Sequence, residues 1–177
     1  MATPDVHLGP GSHRILRLHP DDGRPEIVVD HWLRLRDADP LPSLDALPIL
    51  VSLDRREGLE PRPGRVGAWV PGDAEPEAIA ERVAGVPLLA IEVPKFTDGR
   101  HYSLARLLRE RFGFAGELRA IGNVLPDQLF YMRRCGYTSF DLEPGKSLET
   151  GLRTLAAFSV SYQAGVDQPP LYRRRFG

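Results

Sequence analysis

The residues able to do chemistry gather in three short stretches, and the densest is Thr97-Asp98-Gly99-Arg100-His101-Tyr102-Ser103. Gly99 lets the backbone approach a ligand, a helix expected from about Ser103 supplies free N–H groups, and Arg100 adds a fixed positive charge. Together these suit a small oxyanion. The plainer reading is a turn in which Asp98 caps backbone donors and Arg100 is solvated, and pattern alone favours it. In the second stretch, Gly122 to Gln128, Asn123 suits either a ligand contact or a left-handed turn. Asp127 and Gln128 follow Pro126, where N-terminal capping is the ordinary role. The third stretch, Glu143-Pro144-Gly145-Lys146-Ser147, offers Glu143 as a general base or simply as an exposed acid.

These stretches matter because of the elements around them. From Arg65 onward, short apolar runs alternate with helical patterns. Strands are expected at Val66–Val70, Leu88–Val93, Leu118–Ile121 and Thr138–Leu142. Helices are expected from Pro76 to Gly85, from about Ser103 to Gly113, from Pro126 to Gly136, and after a cap at Ser147. Such β-α repeats with short links predict an α/β fold, with a mostly parallel sheet or a partial (β/α) barrel. At 177 residues the chain is short for a complete eight-unit barrel, which needs about 250. Ligands in parallel α/β folds lie beyond the carboxyl ends of the strands, and all three stretches fall on that edge.

Ahead of this core, residues 1–25 read as a loose arm with one short strand at Arg14–Leu18. Glu26–Leu35 reads as strand followed by turn or helix, and Ile49–Leu53 as a buried strand. A single domain is expected over residues 26–165, and residues 166–177 form an extended basic tail ending Arg173-Arg174-Arg175-Phe176.

Several chemistries are disfavoured outright. The 23 basic and 24 acidic side chains leave a net charge of −1, which suggests neither nucleic acid nor an anionic membrane as a partner. Lys95 and Lys146 are the only lysines, and the other basic residues are arginine. Codon usage in a GC-rich genome accounts for that, while leaving many guanidinium groups for anion recognition. Cys135 is the only cysteine, so the chain alone builds no disulfide or thiolate cluster. Its place at the C-terminal end of a helix, opposite the candidate edge, marks it as a packed thiol. His7, His13, His19 and His31 match no metal motif, and only His101 falls on the candidate edge. Gly9-Pro10-Gly11 lacks the strand and helix of a dinucleotide site, and no phosphate-binding loop or nucleophile elbow is present. No cofactor is therefore expected. With no basic start leading into an apolar run and no run of membrane-spanning length, a cytoplasmic location is expected.

Four blocks in combination are distinctive: Phe96-Thr97-Asp98-Gly99-Arg100-x-Tyr102-Ser103, Gly116-Glu117-Leu118-Arg119-Ala120-x-Gly122, Asp127-Gln128-Leu129 and Arg134-Cys135-Gly136. They resemble an uncharacterised bacterial family whose genes neighbour those of assimilatory sulfite reductase, and whose members are commonly described as oxidoreductases of sulfite reduction. The resemblance spans about Ile27 to Gln163. It implies a role near sulfite reduction and singles out Asp98, Arg100, Arg119, Asp127 and Gln128, which match the family pattern. The family more usually has glycine at the position of His101 and acids at those of Asn123 and Thr138, which limits Asn123 to a binding role.

Three functions follow as expectations. The first is an accessory protein of sulfite reduction that binds the reductase, a small oxyanion, or both. In it Arg100, Arg119 and the arginine-rich tail contribute, with His101, Asn123 and Gln128 as further binding candidates, although Arg119, on a strand, can instead turn inward to Glu117 or Asp141. The second is a small enzyme acting on a sulfur-containing or phosphorylated metabolite, with Asp98 or Asp127 as acid/base. The third is a structural oligomer whose polar loops are caps.

Overall fold

A computed structural model describes residues 13–42, 47–59, 64–95, 97–157 and 165–166. The expected alternation of strand and helix is present, and its strands form one curled sheet. An N-terminal hairpin, β1 (Arg14–Leu18) and β2 (Pro25–Val29), is followed by β3 (Leu33–Arg34), β4 (Ile49–Ser52), β5 (Val66–Pro71), β6 (Leu88–Val93), β7 (Glu117–Gly122) and β8 (Ser139–Phe140). The spatial order is β2-β1-β8-β7-β6-β5-β4-β3. Strands β3 to β8 run parallel, each beside its predecessor, which is the order of a barrel rather than of a doubly wound sheet.

The expectation of a mostly parallel sheet needs one correction. β1 pairs antiparallel with both β2 and β8, so the sheet is mixed. The physical reason is local: the turn at His19–Arg24, closed by Gly23 at positive φ, sends β2 straight back along β1. Residues 13–25 therefore carry β1 and its turn, while residues 1–12 lie outside the described part, as do residues 167–177 of the expected tail.

The two edge strands, β2 and β3, are consecutive in the chain and joined only by Asp30-His31-Trp32. Four residue steps reach about 14 Å at most, so the sheet must curl until its edges nearly meet. The result is an open half-barrel with a short bridge across its seam.

Helices cover the outer face. α1 (Leu53–Glu57), α2 (Pro76–Ile79), α3 (Arg100–Glu110), α4 (Leu129–Arg134) and α5 (Leu148–Ala156) are the α-helices among the described residues. Ile79, Leu104, Leu108, Leu129, Met132 and Leu155 pack on Ala68, Leu89, Ile91, Leu118, Ala120 and Phe140. The alternate strand residues Leu50, Leu88, Ala90 and Ile121 face inward, where Trp32 from the seam and Trp69 cover them. Burial on both faces explains why β6 reads as an apolar run, Leu88 to Ile91, interrupted only by Glu92.

The helix bounds differ from the expected ones in ways that bear on the site. α3 starts at Arg100, not near Ser103, so Arg100 and His101 belong to its first turn. α2 ends at Ile79 and turns carry the chain to Gly85. Pro126–Gln128 forms a 3-10 turn ahead of α4. Ser147 caps α5 as expected, its side chain accepting from the Thr150 amide.

Candidate functional site

At the carboxyl ends of β5 and β6, a cavity of about 320 Å3 is lined by Pro71, Gly72, Asp73, Glu92, Pro94, Lys95, Asp98 and Arg100. Two turns make it. Pro71-Gly72 ends β5, and a Cβ on Gly72 would lie 2.6 Å from the Glu92 carbonyl oxygen and 3.1 Å from the His101 Cβ. Only glycine lets the first loop sit so close to β6 and α3. The second turn, after β6, is closed by the Asp98 amide donating to the Lys95 carbonyl, 3.0 Å.

Arg100 dominates the cavity's rim. Its Nε and Nη2 donate to the two oxygens of Asp98 at 3.0 and 2.6 Å, and Nη1 lies 3.2 Å from Asp73. Asp98 also accepts from the Arg100 amide, 3.1 Å, although the N-cap position of α3 is Gly99 and carries no side-chain cap. The guanidinium hydrogen bonds hold the Asp98 carboxyl down to a pKa of about 2. Arg100 remains 64% exposed despite its two carboxylate partners, so a third anion can still reach it. Glu92, from the inward face of β6, is held by Arg34 at 3.0 Å, and the Arg34 guanidinium lies over Trp69.

The remaining sequence candidates are dispersed. His101 is fully buried. Its Nδ1 is 3.1 Å from the Tyr137 hydroxyl, which itself donates to the His101 carbonyl. The other ring nitrogen, Nε2, is buried without a hydrogen-bond partner among the described residues. Burial pushes the imidazole down to a pKa of about 4, so it is neutral at pH 7.

Arg119 is also inside, 3% exposed on the concave face. It binds Asp30 at 2.8 Å and Glu117 at 2.8 Å, with Ser139 beside it. Of its two foreseen inward partners, Glu117 is correct. Asp141 instead accepts from His13, 2.8 Å away, and that hydrogen bond raises the pKa of His13. Asn123 donates to Glu143 at 2.8 Å, and Lys146 is 3.6 Å from the same carboxylate. Gln128 accepts from the Leu125 amide, and Asp127 stands in the first turn of the 3-10 helix. The edge rule thus locates the cavity, but of the named side chains only Asp98 and Arg100 line it.

Asp73, Glu92 and Lys95 were not singled out from the sequence. Asp73 follows the Pro-Gly stop of β5, and the strand-end rule extended to that loop would have found it. Glu92 is an acid within an apolar strand, itself a signal of an inward polar role. Cys135 is buried at the end of α4, as its position implied. No group of three or more metal-binding side chains occurs among the described residues.

Fold and cavity define a curled α/β half-barrel protein with a charged cleft at its strand ends. The family model described as "Bacterial protein of unknown function (DUF934)" matches residues 67–172, and the chain belongs to that family. The match begins in β5 and runs past α5, so β5 to β8 and the cavity lie within it, while the hairpin and seam lie outside. No curated protein and no solved structure matches the chain. Among the described residues, no helix is long and apolar enough to cross a membrane.

Proposed function

We propose that the protein is a non-catalytic accessory factor of assimilatory sulfite reduction, which binds the reductase or a small oxyanion through the cleft where β5 and β6 end. The observation that carries this reading is Arg100, oriented by Asp73 and Asp98 across the rim yet 64% exposed. Carboxylates on two sides fix the guanidinium fork in place, so an incoming anion meets an already oriented donor. Lys95 adds a second positive charge to the same wall.

The same geometry disfavours Asp98 as an acid–base group. A general acid or base works best with a pKa near the operating pH. Asp98, held at about 2, has no proton to donate at neutrality and little basicity with which to take one. The four sequence blocks that resemble the sulfite-reductase-associated family support the choice of pathway.

The direct test mixes the purified chain with the assimilatory sulfite reductase and measures binding by titration calorimetry, with Arg100→Glu as the comparison. A complex weakened at least about tenfold by the charge reversal, which corresponds to about 1.4 kcal/mol, is the expected result. Turnover of sulfite by the chain alone, with a supplied electron donor, would contradict the accessory role.

A further inference from the structure

The cleft where β5 and β6 end carries charges of both signs. Asp73, Glu92 and Asp98 line it together with Lys95 and Arg100, three acids against two bases. Its volume of about 320 Å3 stands at the lower end of the range for small-molecule sites. We infer, resting on the proposed role of this cleft as the protein's binding site, that its ligand is a small zwitterion, an α-amino acid. Arg100 holds the carboxylate of that ligand and Asp73 its ammonium group.

The hydrogen-bonding capacity left at the rim has both polarities. A guanidinium has about five N–H donors. Asp98 takes one from Nε and one from Nη2, and Asp73 Oδ2 lies 3.2 Å from Nη1. That leaves a donor on each of the adjacent Nη1 and Nη2 atoms, the paired arrangement that a carboxylate accepts. Asp73 meets Arg100 through Oδ2 and is 46% exposed, so Oδ1 is open to an ammonium donor. The tight turn at Gly72 brings these two groups together from the end of β5 and the first turn of α3. A cation acceptor and an anion donor are thus neighbours, as the two charged groups of an α-amino acid are, joined through one carbon.

Charge selects against the simpler ligands. A plain anion on Arg100 stands beside the carboxylates of Asp73 and Asp98, and like charges in one cleft oppose its binding. A plain cation on Asp73 meets the guanidinium in the same way. A zwitterion brings no net charge and finds a complement at both of its ends. Lys95 strengthens the anion-binding side of the cleft, and its volume limits the ligand to a short side chain.

The test titrates the isotope-labelled full chain with L-alanine, L-serine and L-cysteine and follows the amides of Gly72, Asp73 and Arg100 by NMR. At least one should bind with a Kd of about 1 mM or tighter. The N-acetyl form of the tightest binder, which lacks the ammonium, and its amide, which lacks the carboxylate, should each bind about tenfold more weakly. Asp73→Asn should weaken the amino acid about tenfold and tighten sulfite, because it removes an attraction for ammonium and a repulsion for an anion. The N-acetyl and amide comparison needs no variant, so it decides the matter even where Asp73→Asn does not fold. Binding weaker than about 1 mM by all three amino acids overturns the inference. So does an N-acetyl form as tight as its parent, which marks a plain anion site, or a weakening of amino acid and sulfite alike by Asp73→Asn. Reductase binding is read separately by calorimetry. A chain that binds the reductase and none of the amino acids loses this inference and keeps the accessory role. A chain that binds an amino acid and not the reductase keeps this inference and loses that partner.

Discussion

Arg119 shows how far a single side chain's role depends on the strand that carries it. Its guanidinium sits inside the half-barrel between Asp30 and Glu117, all three largely removed from water. Taking one member from such a cluster leaves an uncompensated buried charge, so Arg119→Met should lower stability by about 3–5 kcal/mol, measured by urea unfolding. Asp98 and Arg100 belong to the surface and predict a titration instead. The Asp98 carboxyl is depressed to about 2 by hydrogen bonds from Arg100. In Arg100→Ala it should return towards the ordinary value of about 3.9, followed by NMR. The sign is that of a carboxylate: the pair's contribution is complete above the unfolded value and fades as pH falls through the folded one. His101 gives a third titration. Its folded pKa of about 4 lies below its ordinary value of 6.5, so stability should fall as pH drops from about 6.5 to 4. Its ring should remain neutral by NMR at pH 5.5, and a charged ring there would contradict the buried placement.

Elements were legible where their signals are local. Ser147 ahead of Leu148 announces a cap, and Ser147→Ala should cost about 1 kcal/mol in urea unfolding as the Thr150 amide loses its acceptor. The apolar run Leu88–Ile91 of β6 and the Pro76 start of α2 were equally plain. What escaped the sequence depends on contacts between distant residues. The pairing of β1 with β8 joins Leu16 to Phe140, and nothing near either residue records it. The start of α3 at Arg100 was missed because its cap is a turn closed on Lys95, without a Ser or Thr at the boundary. The burial of His101 follows from that same shift, since the second residue of this helix points at Tyr137. The candidate edge could be read from strand order alone, whereas which side chains face the cavity depends on strand curl and loop approach, with Gly72 the clearest case.

The whole molecule is a sheet curled nearly shut, its seam bridged by three residues and its charged cleft at the end where barrel folds place their sites. The bridge is held by Asp30 on Arg119 and by Trp32 over Leu50, Leu88, Ala90 and Ile121, so it plugs the interior and leaves the rim as the accessible polar surface. Under the proposed function, such a molecule presents an oriented arginine to the reductase or an oxyanion, and any part in sulfur metabolism should vanish with that one group. The measurement is growth of a strain lacking the gene on sulfate, sulfite or sulfide as sole sulfur source, complemented by the wild-type chain or by Arg100→Ala. The account predicts failure on sulfate and sulfite, growth on sulfide, rescue by the wild-type chain, and no rescue by the variant at equal protein level and unchanged unfolding midpoint. Normal growth of the deletion strain on all three sources would contradict it.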